Sequence, residues 1–206
     1  MSRPTLYHAP NTRALRVLWT LEELGATCDL KSIPFPPRRL QPSYLEINPS
    51  GTLPALVDGD LVLTESVAIC ETLAERHGPS PLVVPSGDSA RPDYLQWLWY
   101  GESATLMVPM AIMVRLGRLE SPGDDVAAVL ADARASLLLR LAPLERRLEG
   151  REFLAADRLT LADISCGFPL HFLELMKADD VLGPRTRAYR ARLRSRPAFK
   201  RAAAAP

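Results

Sequence analysis

Hydrophobic and polar positions keep two different rhythms along this chain. In the first third, short apolar runs of strand length alternate with helical patterns. Thr5-Leu6-Tyr7-His8 is a strand candidate that ends at Ala9-Pro10, and Cys28 to Ile33 is a second. Between them Leu15, Leu18, Trp19 and Leu21 recur at helical spacing, with Asn11 or Thr12 as the cap and Gly25 as the stop. A proline-rich connector from Pro34 to Pro42 follows, and Tyr44-Leu45 predicts a short helical turn. Leu53 to Val57 and Leu61 to Thr64 read as two more strands, joined by Asp58-Gly59, a strong hairpin signal. A helix over Ser66 to His77 then closes at Gly78-Pro79.

After that point the strand signals disappear. Pro79 to Arg91 is a linker by composition, and helical patterns occupy the remainder. Tyr94 to Gly117 is helical, with Pro109 predicting a kink or break. Over Asp125 to Leu148 the apolar positions Val126, Leu130, Ala133, Leu137, Leu141, Leu144 and Leu148 form one buried stripe, with Pro143 bending its last turns. Thr160-Leu161-Ala162-Asp163 is a short-acid capping box that starts a helix through Phe172. A last helix over Pro184 to Leu193 precedes Arg196-Pro197. The order β-α-β-(α)-β-β-α is that of an α/β thioredoxin-like domain, here spanning 1–79. A linker over 80–90 and an all-α helical domain over 91–206 complete the expected architecture.

Composition narrows the function classes without choosing among them. The chain has 206 residues, 47% hydrophobic and 24% charged, as expected of a soluble globular protein. A net charge of +1 gives no general attraction to nucleic acid or to an anionic membrane. The arginine-rich stretch from Arg185 to Arg201 reads as a solvated helix face rather than a phosphate surface. No basic-then-apolar signal sequence opens the chain, and the apolar run from Ser103 to Val114 falls short of the roughly 20 residues a bilayer needs. Cys28, Cys70 and Cys166 are too widely spaced for a disulfide framework or a metal cluster. A cytoplasmic protein without a metal is the expectation.

The chemistry gathers between Asn48 and Ile69. Pro54 stands at the entrance to its strand, where it cannot donate to a ladder, and Leu53-Pro54 is a bond at which cis geometry is cheap. Thr64-Glu65-Ser66 ends the hairpin and begins a helix, so the N–H groups around Ser66 make a ready seat for a carboxylate. Glu65 beside it suits an ammonium. An anion seat next to a cation seat is what an amino-acid head group requires. A plain helix cap with a solvated Glu65 would read the same way.

This segment resembles the glutathione-binding half of cytosolic glutathione transferases, whose pattern is Asn-Pro, Gly, Val/Leu-Pro-Ala-Leu and then Glu-Ser before a helix. Leu53-Pro54 and Glu65-Ser66 match both elements at the family spacing. Leu18 to Gly25 and the Phe153-Leu154-Ala155 and Thr160 to Asp163 segments extend the likeness over nearly the whole chain. The resemblance implies that the backbone of Leu53, before a cis Pro54, pairs with the cysteinyl part of glutathione. It implies that Glu65 and Ser66 hold the γ-glutamyl head. Thr52 stands where many members carry Lys or Arg, so Arg38, Arg39 or Gln41 is expected to replace that cation at the glycyl carboxylate.

In a thioredoxin-like domain the reactive position lies between the first strand and the first helix. Here it reads Pro10-Asn11-Thr12-Arg13, with no cysteine before Cys28, so the thiol must come from a ligand. Free cysteine has a pKa of about 8.5, and lowering it by roughly two units takes about 2.7 kcal/mol. The resemblance implies three candidate donors to the thiolate: Thr12 first, then Asn11, then Tyr7. Thr12 and Asn11 could equally be helix caps, and Tyr7 a packed strand residue. Arg13 supports the thiolate or the glutathione glycine, or is a solvated helix charge.

Tyr100, Ser103, Met107, Pro109, Met110 and Met113 lie on the helix that lines the electrophile pocket in the family, and about half are expected to be core. The resemblance thus implies a homodimeric glutathione transferase that attacks a small apolar electrophile. A glutathione-dependent disulfide or peroxide reductase and a non-catalytic interaction module are the alternatives.

Overall fold

In the computed structural model, residues 3–103, 105–119 and 123–206 are described. Their contacts divide into two units, the chain up to Val83 together with Ser195–Pro206, and Val84–Arg194. The first unit carries β1 (Thr5–His8), α1 (Ala14–Leu24), β2 (Asp29–Ser32), α2 (Pro37–Leu40) and a 3-10 turn at Pro42–Glu46. It continues with β3 (Ala55–Asp58), β4 (Leu61–Thr64) and α3 (Ser66–Arg76). Among the described residues the four strands form one mixed sheet in the order β2-β1-β3-β4, a thioredoxin-like arrangement.

β1 runs parallel to β2 and antiparallel to β3, pairing Leu6 with Leu56 and Tyr7 with Ala55. Leu6 and Leu56 therefore share one face and Tyr7 and Ala55 the other, because side chains alternate along a strand. On the second face Tyr7, Ala9, Ile33, Tyr44, Leu53 and Ala55 pack as one buried cluster. The hairpin forms as expected, but Asp58 pairs with Leu61, so its two-residue turn is Gly59-Asp60 rather than Asp58-Gly59. Gly59, at φ 59°, supplies the positive φ that such a turn demands.

The unit is completed from the far end of the chain by α9 (Pro197–Ala203), a helix that the sequence pattern did not predict. Its Phe199 meets the Trp19 ring edge-on, with centroids 5.0 Å apart. Arg196 grips Glu23 through Nε at 2.6 Å and Nη2 at 2.8 Å, and Arg201 donates to Glu22 at 2.6 Å. Residues 195–206 thus group with the sheet rather than with the helices that precede them.

The second unit is all-helical among its described residues: α4 (Arg91–Glu102), α5 (Met107–Leu116), α6 (Asp124–Arg147), α7 (Leu161–Leu175) and α8 (Pro184–Ser195), which ends at the boundary between the units. The expected helix over 94–117 is broken, but at Ser103, whose backbone is extended, and not at Pro109. Ala104 lies outside the described residues. Pro109 sits in the first turn of α5, where its missing N–H has no intrahelical partner to lose.

α7 is buried along almost its whole length and packs closely on α4. A Cβ added at Gly101 would lie 2.5 Å from the Ser165 backbone, so only glycine allows this approach. Ser165 Oγ then reaches the Leu98 carbonyl at 2.7 Å, and Cys166 Sγ the Trp97 carbonyl at 3.2 Å. The predicted capping box is present at the start of α7. No helix among the described residues is long and apolar enough to cross a membrane.

Candidate active site

The strand register itself assembles the site. Because β1 and β3 are antiparallel with Tyr7 opposite Ala55, the end of β1 lies beside the start of β3. Because Ala55 also pairs with Thr64, the end of β4 joins them at the same edge. Three segments distant in sequence, Ala9 to Arg13, Thr52 to Pro54 and Thr64 to Ser66, therefore meet at one end of the sheet. α1 and α3 both begin there and pack on each other. Two helix N-termini, each carrying a partial positive charge, converge on one place.

Leu53-Pro54 is cis. Pro54 precedes the first paired residue of the central strand β3, so its missing N–H costs no ladder bond. The loop before it is tied down by a network the sequence reading missed. The Thr52 carbonyl accepts from Tyr44 Oη at 2.8 Å and from Asn48 Nδ2 at 2.8 Å. Asn48 Oδ1 in turn accepts from the Ser50 backbone N at 3.1 Å and from Ser50 Oγ at 2.7 Å, an Asx turn. In a trans peptide C=O and N–H point opposite ways. Holding the Thr52 oxygen against Tyr44 and Asn48 therefore aims the Leu53 N–H away from them. Asn-Pro-Ser-Gly was the available signal for this turn.

At the start of α3, Glu65 is exposed, with φ 66° and ψ 109°, and its carbonyl accepts from Ile69 N at 3.0 Å. A non-glycine residue held at positive φ is a strained conformation of the kind that clusters at ligand sites. Ser66 is buried at 1% exposure and its Oγ accepts from Arg16 Nη1 at 3.2 Å. Arg16, itself fully buried, was also missed. A charged residue in the midst of the apolar α1 pattern was the signal.

The thiolate candidates are placed differently from one another. Asn11 is exposed at φ 60°, at the exit from β1. Thr12 is buried at 8% exposure. Its Oγ1 donates to the Ala9 carbonyl at 2.7 Å and accepts from Ala14 N at 3.4 Å, so it caps the first turn of α1. Tyr7 lies in the buried cluster with its ring 5.6 Å from that of Tyr44 and Lys31 Nζ 5.0 Å above it. Arg13 is half-buried at the residue just before α1. Arg38 on α2 reaches the Gly51 loop, where its Nε would lie 3.5 Å from a Cβ added to Gly51. Next to the site His8 is buried, which lowers its pKa, and Nε2 pairs with Ser32 Oγ at 2.8 Å.

In the second unit Met110 is core, at 1% exposure. The Tyr100 hydroxyl donates to the Arg140 carbonyl, and Ser103 Oγ donates to Thr105 Oγ1 at 3.0 Å. Met107 and Met113 are partly exposed. The arginine-rich stretch is largely matched by acids: Arg185 by Glu149, Arg190 by Glu174 and Asp179, Arg196 by Glu23 and Arg201 by Glu22. Among the described residues no group of His, Cys, Asp and Glu could hold a metal ion.

Residues 6–81 match the family model described as the N-terminal domain of glutathione S-transferase. Glutathione S-transferase F13 of Arabidopsis thaliana is 30% identical over 194 residues, covering 89% of this chain and 87% of the relative. A glutathione transferase structure from Methylococcus capsulatus superposes with a TM-score of 0.83 at 30% identity, covering 97% of each chain. A glutathione transferase family member from Pseudomonas fluorescens, solved with two glutathione bound, shares the fold at a TM-score of 0.87 and 24% identity, over 99% of this chain and 93% of its own.

Proposed function

The chain belongs to the glutathione S-transferase family and uses glutathione as co-substrate, and from that premise we propose that the edge of the sheet built by Asn11, Thr12, Leu53, Pro54, Glu65 and Ser66 binds glutathione and activates its thiol. The observation that carries this is the register, which brings all six to one end of the sheet beside two helix N-termini. The γ-glutamyl carboxylate sits on the Ser66 N–H and hydroxyl at the start of α3, and its ammonium faces Glu65. The backbone of Leu53 pairs with the cysteinyl residue. Arg38, exposed beside the Gly51 loop, takes the glycyl carboxylate in place of the cation absent at Thr52.

So held, the thiol lies toward the N-terminus of α1, whose dipole favours the anion. Thr12 is the first donor. Its hydroxyl proton is on the Ala9 carbonyl, and turning it to a thiolate exchanges a neutral hydrogen bond of about 1 kcal/mol for a charge-assisted one of about 1.5–3 kcal/mol. The exchange is favourable. The lone pair of the thiolate then forms the C–S bond to the electrophile, either expelling the leaving group with its bonding pair or, at an activated double bond, pushing the π pair onto the activating group, which takes a proton from water. Of the four residues the resemblance offers for the small apolar electrophile, Met107, Tyr100 and Ser103 keep that role in this reading, and Met110, buried in the core of the second unit, does not. The enzyme acts as a cytoplasmic homodimer in this reading.

Thr12→Val and Asn11→Gly separate the donors. Thr12→Val removes the hydroxyl at nearly constant shape, and Asn11→Gly removes the amide while leaving a residue suited to positive φ. Thr12→Val is expected to raise the pKa of bound glutathione by about one to two units, read from thiolate absorbance, with less effect on affinity. A shift on Asn11→Gly alone would move the role to Asn11. A shift only on Tyr7→Phe would move it to Tyr7.

A further inference from the structure

We propose that Arg16 is a positioning residue for glutathione: it fixes the Ser66 hydroxyl so that its proton is presented to the γ-glutamyl carboxylate. The inference rests on the binding seat proposed above at the start of α3. Arg16 has no exposed surface, although it lies on the first helix of a domain with ample surface for a charged side chain. Burying a guanidinium is costly unless its donors are used. One of them is used on Ser66: Nη1 donates to Ser66 Oγ at 3.2 Å, across fifty positions of sequence, from α1 to the first residue of α3.

The chemistry of the pair sets its direction. A guanidinium has only donors, so in this bond the serine oxygen is the acceptor. The Ser66 hydroxyl proton must then point elsewhere. Ser66 is also the first residue of α3, so its side chain stands beside N–H groups that have no helical partner. A carboxylate arriving there meets the backbone donors, a hydroxyl already turned outward, and a fixed positive charge behind it. Without Arg16 the hydroxyl is free to rotate toward a neighbouring carbonyl, and part of the donor set is lost before the ligand arrives. Arg16 thus acts through Ser66 and does not touch glutathione.

Calorimetry with two ligands tests this. One is glutathione. The other is γ-aminobutyryl-cysteinyl-glycine, which lacks only the α-carboxylate and presents the same thiol. Arg16→Gln removes the charge and the fork. Arg16→Lys keeps the charge and is the milder change should Arg16→Gln fail to fold. Wild type is expected to bind the decarboxylated ligand about ten- to a hundredfold more weakly than glutathione. Either variant should weaken glutathione by about fivefold or more and the decarboxylated ligand by less than about twofold, raising KM for glutathione while kcat at saturation stays within about twofold. Equal losses for both ligands would show that Arg16 only packs the core, and would overturn the proposal while the seat stands. Equal affinity of wild type for the two ligands would remove the carboxylate seat from Ser66, and the role of Arg16 with it.

Discussion

Asp163→Ala is expected to lower stability by about 3–5 kcal/mol, the cost of removing one partner from a buried charged network. The side chain has no exposed surface. Its Oδ1 accepts from Leu154 N at 2.9 Å and Tyr189 Oη at 2.8 Å. Its Oδ2 accepts from Thr160 N at 2.8 Å and Thr160 Oγ1 at 3.1 Å. Four donors from the loop before α7, the cap of α7 and the middle of α8 thus close on one carboxylate, and alanine would leave all four unpaired. Burial pushes this carboxyl up to about 6, so it is still ionised at neutral pH.

The pH dependence has a definite sign. A folded pKa above the unfolded value of about 3.9 means the folded state binds the proton more tightly. That contribution is fully present below the unfolded pKa and is lost as pH rises through about 6. Between pH 7 and pH 5 wild type should therefore gain about 1 kcal/mol that Asp163→Ala does not. Denaturant unfolding of both proteins at the two pH values reads this directly. A wild type that loses stability relative to the variant on acidification would mean the four donors outweigh burial.

The second large effect concerns the ligand. Glu65→Gln and Ser66→Ala should each weaken glutathione binding by about ten- to a hundredfold, the range for hydrogen bonds to charged groups. Glu65→Gln keeps the chain length and removes only the charge facing the ammonium. Glu65 is exposed, so the substitution should move stability by no more than about 0.5 kcal/mol. Ser66→Ala removes the hydroxyl and leaves Arg16 Nη1 without that acceptor, so some loss of stability accompanies the loss of affinity. Unchanged glutathione affinity in both variants would rule out the head-group assignment.

Much of this was legible in the sequence where local chemistry dictates local shape. The hairpin, the proline before β3, the glycine stop at Gly25 and the box at Thr160 each follow from one or two residue types whose backbone needs are narrow. Errors arose where tertiary contact decides. Gly59 was recognised as a turn residue, but only the pairing of Asp58 with Leu61 fixes the turn as Gly59-Asp60. Pro109 drew the expected helix break to itself, whereas a proline in a first turn starts a helix comfortably and the chain breaks at Ser103 instead. α9 was hidden because Arg196-Pro197 looks like a terminus, while Pro197 is in fact the first residue of a new helix.

The site divides along the same line. Of the proposed residues, Leu53-Pro54 and Glu65-Ser66 are visible in the sequence through the resemblance, whose two motifs they match at the family spacing. Arg16, Tyr44 and Asn48 touch the proposed residues or their neighbours, and only the distances to Ser66 and to the Thr52 carbonyl reveal them.

In the function proposed here, this edge of the sheet holds glutathione as a thiolate. A calorimetric titration with glutathione at a series of pH values, with thiolate absorbance followed in parallel, tests it most directly. Saturable binding is expected, with the bound thiol titrating about two units below the free value of about 8.5. No saturation at millimolar glutathione, or a bound thiol whose pKa is unshifted, would contradict it.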